Sequence, residues 1–128
     1  MSSYVLDSSV VLAIFGDEPG GDSARAEMDG TSVISAVNLI EVVSKLHDFG
    51  WTEARIEDSL VTLLLDVTPL SQAQAVDAGL LRRVTRHLGL SLGDRACFAL
   101  AREMQLPILT ADRAWVGLDL GVKVRSIR

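Results

Sequence analysis

The chain has 128 residues, a length that fits one domain spanning 1–128 and leaves no room for two. Hydrophobic residues make up 48% and charged residues 23%, enough apolar surface for a core, so disorder is excluded as the main state. Twelve basic against seventeen acidic residues give a net charge of −5, which excludes a grip on nucleic acid by bulk positive charge but leaves a local patch open.

Cys97 is the only cysteine, so an intrachain disulfide and a cysteine-built zinc site are excluded and a reducing compartment fits. The opening Met1-Ser2-Ser3-Tyr4 has no basic leader and runs into a strand pattern, unlike a signal peptide. The longest apolar stretch, Leu60 to Leu65, contains Thr62 and ends at Asp66, far short of the ~20 residues of a membrane span. A soluble, cytoplasmic protein is expected.

In chain order, Tyr4-Val5-Leu6 predicts a first strand, and Ser9 to Gly16 an apolar helix carrying Val10, Val11, Ala13, Ile14 and Phe15. Any part of that helix left uncovered calls for a partner. Ser32 to Ser35 predicts a second strand after a polar Asp29-Gly30 turn. Ala36 to Phe49 has helical spacing, with Val37, Ile40, Val43 (or Ser44) and Leu46 near one face; Glu53 to Leu65 behaves the same way. Asp66 to Leu70 is a weaker third strand, followed by a helix over Gln72 to Leu88. Arg95 to Met104 places Ala96, Ala99, Leu100 and Met104 in a buried stripe. Pro107 to Thr110 and Val122 to Val124 supply the fourth and fifth strands. Strands alternating with helices imply right-handed crossovers, and short apolar strands imply burial on both faces. The expected class is α/β, a three-layer α/β/α sandwich with a mostly parallel sheet.

Four acids stand where such a sheet binds ligands. Asp7 directly follows the first strand, and Asp112 comes two residues after the fourth, at the carboxyl edge where strand order reverses. Glu41 lies in the helix after the second strand, and Asp94 opens the helix after Leu90-Ser91-Leu92-Gly93. Each has a simpler reading: the aspartates as helix N-caps, Glu41 as a solvated helix charge. Together they share apolar or small surroundings, unlike surface charges. Carboxylates within ~4–6 Å raise one another's pKa, so such a cluster holds protons or a cation. An all-oxygen set without His or Cys suits Mg²⁺ or Mn²⁺, a tool for phosphodiester chemistry.

Val5-Leu6-Asp7-Ser8-Ser9, Ala36-Val37-Asn38-Leu39-Ile40-Glu41-Val42, Leu90-Ser91-Leu92-Gly93-Asp94-Arg95-Ala96 and Leu109-Thr110-Ala111-Asp112-Arg113-Ala114-Trp115 resemble, in order, the four motifs of PIN-domain ribonucleases. The variants Ser-Leu-Gly-Asp-Arg-Ala and Thr-Ala-Asp-Arg-x-Trp are most like the VapC-type toxins of toxin–antitoxin pairs. The resemblance implies a five-stranded parallel sheet in the order 3-2-1-4-5 and metal-dependent endonucleolytic cleavage of single-stranded or structured RNA. It maps Asp7, Glu41, Asp94 and Asp112 onto the family's acidic positions, both as catalytic residues and as ligands of Mg²⁺ (or Mn²⁺). Asp7 and Asp94, aided by Glu41, take one ion; Asp112 takes a second ion or the attacking water. Thr110 matches a supporting hydroxyl, Asn38 stands where relatives often carry threonine, and Ser9 joins them beside Asp7. A homodimer and a cognate antitoxin covering the active site are the implied partners, either of which could cover the Ser9–Gly16 helix.

Arg82, Arg83, Arg86 and His87 gather at the end of a helix, where they complement its dipole or, through Arg82 and Arg86, contact RNA. Cys97 reads as packing, Trp51 as a helix-boundary anchor and Trp115 as core. Other functions stay open. A PIN-like RNA-processing nuclease outside a toxin–antitoxin pair has the same signature, as does a PIN fold that has lost catalysis. A non-catalytic, Mg²⁺-binding receiver-like signalling module shares size and class, but it wants paired acids near the first strand and a lysine at a late strand end. A haloacid-dehalogenase-like phosphatase wants an acid where Ser9 stands.

Overall fold

A computed structural model describes residues 2–28 and 31–128. The elements are β1 (Ser2–Leu6), α1 (Ser8–Phe15), α2 (Gly21–Glu27), β2 (Thr31–Ser35), α3 (Ala36–Asp48), α4 (Glu53–Thr62), β3 (Asp66–Thr68), α5 (Gln72–Thr85), α6 (Leu92–Met104), β4 (Ile108–Thr110) and β5 (Val124–Ser126). All strand pairs are parallel, in the order β3-β2-β1-β4-β5. Strand order therefore reverses between β1 and β4, as expected.

The period of two along the strands sorts side chains into two cores. Leu6, Ile34 and Leu109 pack with Val10 and Val11 of α1 and Val42 and Leu46 of α3. Val5, Val33 and Ile108 pack on the opposite face with Leu81 of α5, Phe98 and Leu100 of α6, and Trp115. Phe98 and Trp115 lie with ring centroids 5.0 Å apart. Truncating Phe98, which is fully buried, to alanine should cost about 3–5 kcal/mol through the cavity it leaves.

Several expectations are corrected. Burial on both faces holds for the three central strands only: Asp66 and Val67 on β3 and Arg125 on β5 are exposed, because edge strands lack a neighbour. The fifth strand is Val124–Ser126, set by pairing of Ile108 with Val124, not Val122 to Val124. On α3 the buried stripe is Asn38, Val42 and Leu46, while Ile40 is 65% exposed. Apolar residues on every side of this helix hide its phase. The Glu53 helix stops at Thr62, with Leu64 at φ 52°, and α5 yields after Thr85 to a 3-10 turn over Arg86–Leu88 closed by left-handed Gly89. On α1, Val10, Val11 and Ala13 are buried while Leu12, Ile14 and Phe15 stay half-buried, and a more exposed apolar stripe lies on α5. The expected turn at Asp29-Gly30 lies outside the described residues.

Candidate active site at the carboxyl rim

Pairing of Leu6 with Leu109 carries Asp7 alongside Thr110, and the Asp7 amide donates to the Leu109 carbonyl at 3.0 Å. Asp7 occupies the N-cap position of α1 but makes no side-chain cap. Its Oδ2 instead accepts from the Ser9 hydroxyl at 2.6 Å and the Thr110 hydroxyl at 3.0 Å. The Ala111 amide donates to Ser9 Oγ, and the Asp112 amide to Thr110 Oγ1, each at 3.0 Å. With an acceptor site on each hydroxyl already filled, both hydrogens remain available for Asp7. The carboxyl is only 4% exposed. Burial, against the opposing pull of the Ser9 hydroxyl, pushes its pKa up to about 6; the charges of Asp94 and Glu41 push the same way, and the Thr110 hydroxyl opposes them.

Glu41 reaches this rim from α3, whose first turn is capped by Ser35. The buried Asn38 amide donates to Glu41 Oε1 at 2.8 Å and to the Gly93 carbonyl at 2.9 Å, clamping α3 to the start of α6. A Cβ on Gly93 would run into the Glu41 carboxylate, the far end of a flexible side chain, so a larger residue there must displace that carboxylate. Asn38 Oδ1 is buried with no hydrogen-bond partner among the described residues. Turning the amide over would point its oxygen at two acceptors, so this orientation is fixed.

Asp94 sits in the first turn of α6, in a capping box with Ser91: Ser91 N donates to Asp94 Oδ2 at 2.9 Å, and Asp94 N to Ser91 Oγ at 3.2 Å. Burial raises its pKa; the Ser91 amide and hydroxyl oppose this, and the charges of Glu41 and Asp112 add to it. Asp112 is exposed, and its Oδ1 accepts from Ala114 N at 2.9 Å. The N-cap reading therefore holds for one oxygen of Asp112 alone: α6 starts at Leu92 with Ser91 as its cap and Asp94 at the third helical position, and Asp7 makes no side-chain cap.

The four acids thus form one electrostatic group, Asp7 coupled to Asp94 and Glu41, and Asp94 to Glu41 and Asp112. The ion pairs among the described residues, Arg102–Asp77, Arg125–Glu27 and Arg128–Glu18, lie elsewhere. None of the four acids has a cationic partner there. Among the described residues, no group of three or more His, Cys, Asp or Glu side chains is arranged so as to hold a metal ion. The four acids form an uncompensated, oxygen-only cluster in which burial pushes Asp7 and Asp94 toward protonation, and its donor chemistry suits a hard divalent cation. The same charges, after burial, hold the Cys97 thiol well above its ordinary range, so it is packing and no nucleophile.

Arg82 and Arg86 are exposed at the end of α5, joined to the first turn of α6 through Gly89–Ser91. They stand at the site's end of the molecule without touching an acid. Trp51 packs on Phe15 and carries Arg55 3.6 Å above its ring, so its face is taken. Gly93 and Ser91 were not singled out from sequence as site residues. A glycine in a first helical turn, where alanine is favoured by about 1 kcal/mol, and the Ser-x-x-Asp spacing are the signals that mark them.

The family model "PIN domain" matches residues 4–119. No curated protein matches the sequence significantly. Among solved structures, the chain is similar to one from a toxin–antitoxin complex of Klebsiella pneumoniae, with a TM-score of 0.79, 19% identity and 98% of each chain covered. A chain of VapBC2 from Rickettsia felis, bound to a promoter DNA fragment, aligns with a TM-score of 0.76 at 16% identity over 98% of each chain. VapC20 of Mycobacterium tuberculosis, described as a sarcin-ricin loop cleaving toxin, aligns with a TM-score of 0.73 at 16% identity, over 94% of this chain and 99% of that one. At such identities these likenesses speak to the fold, whereas the family match spans nearly the whole sequence. The chain belongs to the PIN domain family.

Proposed function

We propose that this chain is a metal-dependent endoribonuclease, cleaving single-stranded or structured RNA, and the toxin of a toxin–antitoxin pair. One observation carries the reading: Asp7, buried at the sheet's reversal point, faces the charges of Asp94 and Glu41 with no cation beside it among the described residues. Such a cluster is stable at neutral pH when an external cation balances it.

Asp7, Asp94 and Glu41 would hold Mg²⁺ or Mn²⁺, with Asp112 on a second ion or on the water. An ion held there would supply Lewis acidity and lower the pKa of a nearby water. Ser9 and Thr110 fix one oxygen of Asp7, and Asn38 fixes one oxygen of Glu41, leaving each a second oxygen to offer. Asp112 is exposed at the open side of the site, where a second ion or the attacking water would enter. The water oxygen bonds to phosphorus as the P–O3′ bond breaks, and the proton the water gives up is balanced by the one the leaving 3′ oxygen takes from solvent, giving a 5′ phosphate and a 3′ hydroxyl.

Support for the toxin assignment is the company of the fold: VapC20, described as a sarcin-ricin loop cleaving toxin, and a chain from a toxin–antitoxin complex. A cognate antitoxin is the partner this implies. For a homodimer, the support is the stripe Val76, Leu80 and Val84 on α5, each more than half exposed. A second copy would cover it. A receiver-like module fits worse. Lys123 precedes β5 and so sits at the opposite edge of the sheet, and Lys45 lies in a helix, one turn beyond Glu41, not at a strand end.

The test is cleavage of a structured RNA by purified protein in Mg²⁺ or Mn²⁺. Cleavage by the native chain, abolished by EDTA and by Asp7→Asn, is expected. Full cleavage by Asp7→Asn in EDTA would refute the proposal.

A further inference from the structure

Beside the acid cluster opens a hollow of about 450 Å³, lined by Ser9, Ala111, Asp112, Arg113 and Arg128. It shares Ser9 and Asp112 with the site, and Ser9 Oγ joins its wall to Asp7 through a 2.6 Å bond. Arg82 and Arg86, the cations singled out from sequence, have no part in this wall.

Arg113 is held in place by its neighbours. Asp112 caps the Ala114 amide at 2.9 Å, and Trp115 is buried against Phe98, so the backbone carrying Arg113 is pinned on both sides. Its side chain is exposed and makes no ion pair or hydrogen bond among the described residues. Arg128 is tethered by Glu18 Oε2 at 2.7 Å and the Pro19 carbonyl at 3.2 Å. Its charge is thereby partly balanced, which leaves Arg113 as the stronger attractor.

A guanidinium beside an acidic rim has a clear chemical match. RNA is a chain of phosphates, and a site that holds one of them among carboxylates repels the next unless a cation receives it. Arginine presents a planar fork of donors that fits phosphate oxygens bidentately.

We propose that this hollow is a phosphate subsite, in which Arg113, assisted by Arg128, receives the phosphodiester adjacent to the scissile one in a single-stranded RNA. The inference rests on the nuclease reading and adds the direction in which the strand leaves the acids, toward the β4–β5 side.

The experiment uses the full chain carrying Asp7→Asn, without divalent metal, titrated into a fluorescein-labelled single-stranded RNA dodecamer and read by anisotropy across a NaCl series. Adding Arg113→Ala should weaken binding about 5–20-fold at low salt and flatten the salt slope by about 0.7, the share of one phosphate contact on a single strand. Arg113→Lys should recover part of the loss, and Arg128→Ala should lose less than Arg113→Ala. If the parent binds RNA and Arg113→Ala and Arg113→Glu both bind equally well with the same slope, the subsite is wrong and the nuclease reading is untouched. If the parent shows no RNA binding and the native chain no metal-dependent cleavage, both fall together.

Discussion

Thr110 donates its hydroxyl hydrogen to Asp7 Oδ2 across 3.0 Å, joining residues 103 apart in sequence. The bond exists because β1 and β4 pair in parallel with Leu6 opposite Leu109, so the next residue of each strand meets at the rim. It favours the ionised form of a carboxyl that burial disfavours. Thr110→Val keeps the shape and removes the donor. Groups that orient a ligand are typically worth about 10–100-fold in metal affinity or activity. Cleavage rate against Mg²⁺ concentration should therefore show half-saturation at about 10-fold higher metal in this variant; an unchanged curve would mean the bond is ornamental.

The raised pKa of Asp7 makes a stability prediction for the metal-free chain. A folded-state value of about 6 against an ordinary 3.8 means that the native protein keeps a proton the unfolded chain has released between these values. This part of the stability is present below about pH 4, declines as pH rises to about 6, and stays lost above; the span is about 3 kcal/mol. Asp94, raised in the same direction, adds to the slope. Asp7→Asn removes the charge and can keep the oxygen that accepts from Ser9 and Thr110. Urea denaturation in EDTA should find this variant more stable than the native chain at pH 7.5 and equal to it near pH 4. Parallel profiles would show that Asp7 is not strained by its burial.

Gly93→Ala separates helix propensity from function. In an ordinary helix the change favours folding by about 1 kcal/mol. Here the new methyl meets the Glu41 carboxylate and displaces it from the Asn38 clamp. Cleavage should fall at least about 10-fold with no gain in melting temperature. A more stable and fully active variant would show that Glu41 can work from elsewhere.

The stripe on α5 predicts assembly. Val76, Leu80 and Val84 recur every four residues, while Gln74, Ala78, Leu81 and Thr85 face inward. Light scattering after size exclusion should find a dimer for the native chain and a monomer for Leu80→Glu, with the melting profile of the single chain otherwise kept. A native monomer at about 100 μM would remove the dimer from the account.

Much of this was legible in the residues. The alternation of apolar runs with helical spacing fixed the class, and Asp7 and Asp112 could be placed on the rim because each closely follows a strand. Elements without an apolar signature escaped: α2, Gly21–Glu27, buries only Gly21 and Ala24 and shows no period. The phase of α3 was hidden by apolar residues all round and decided by a polar one, since Asn38 is buried to bridge Glu41 and Gly93. On α5 a single large apolar residue, Leu81, faces inward with Gln74, Ala78 and Thr85, while Val76, Leu80 and Val84 point outward, so hydrophobicity alone does not mark its buried side. The hollow beside Asp112 depends on Arg128 folding back to Glu18, a contact across 110 residues that no local pattern announces.

The central claim is that residues 7, 41, 94 and 112 act as one cation-binding unit, and calorimetric titration of Mn²⁺ into the EDTA-stripped chain reaches it without any RNA. Saturable binding in the native protein, lost in Asp7→Asn and again in Asp94→Asn, is the predicted result. Absence of heat up to about 10 mM Mn²⁺, or full binding in both variants, would contradict it.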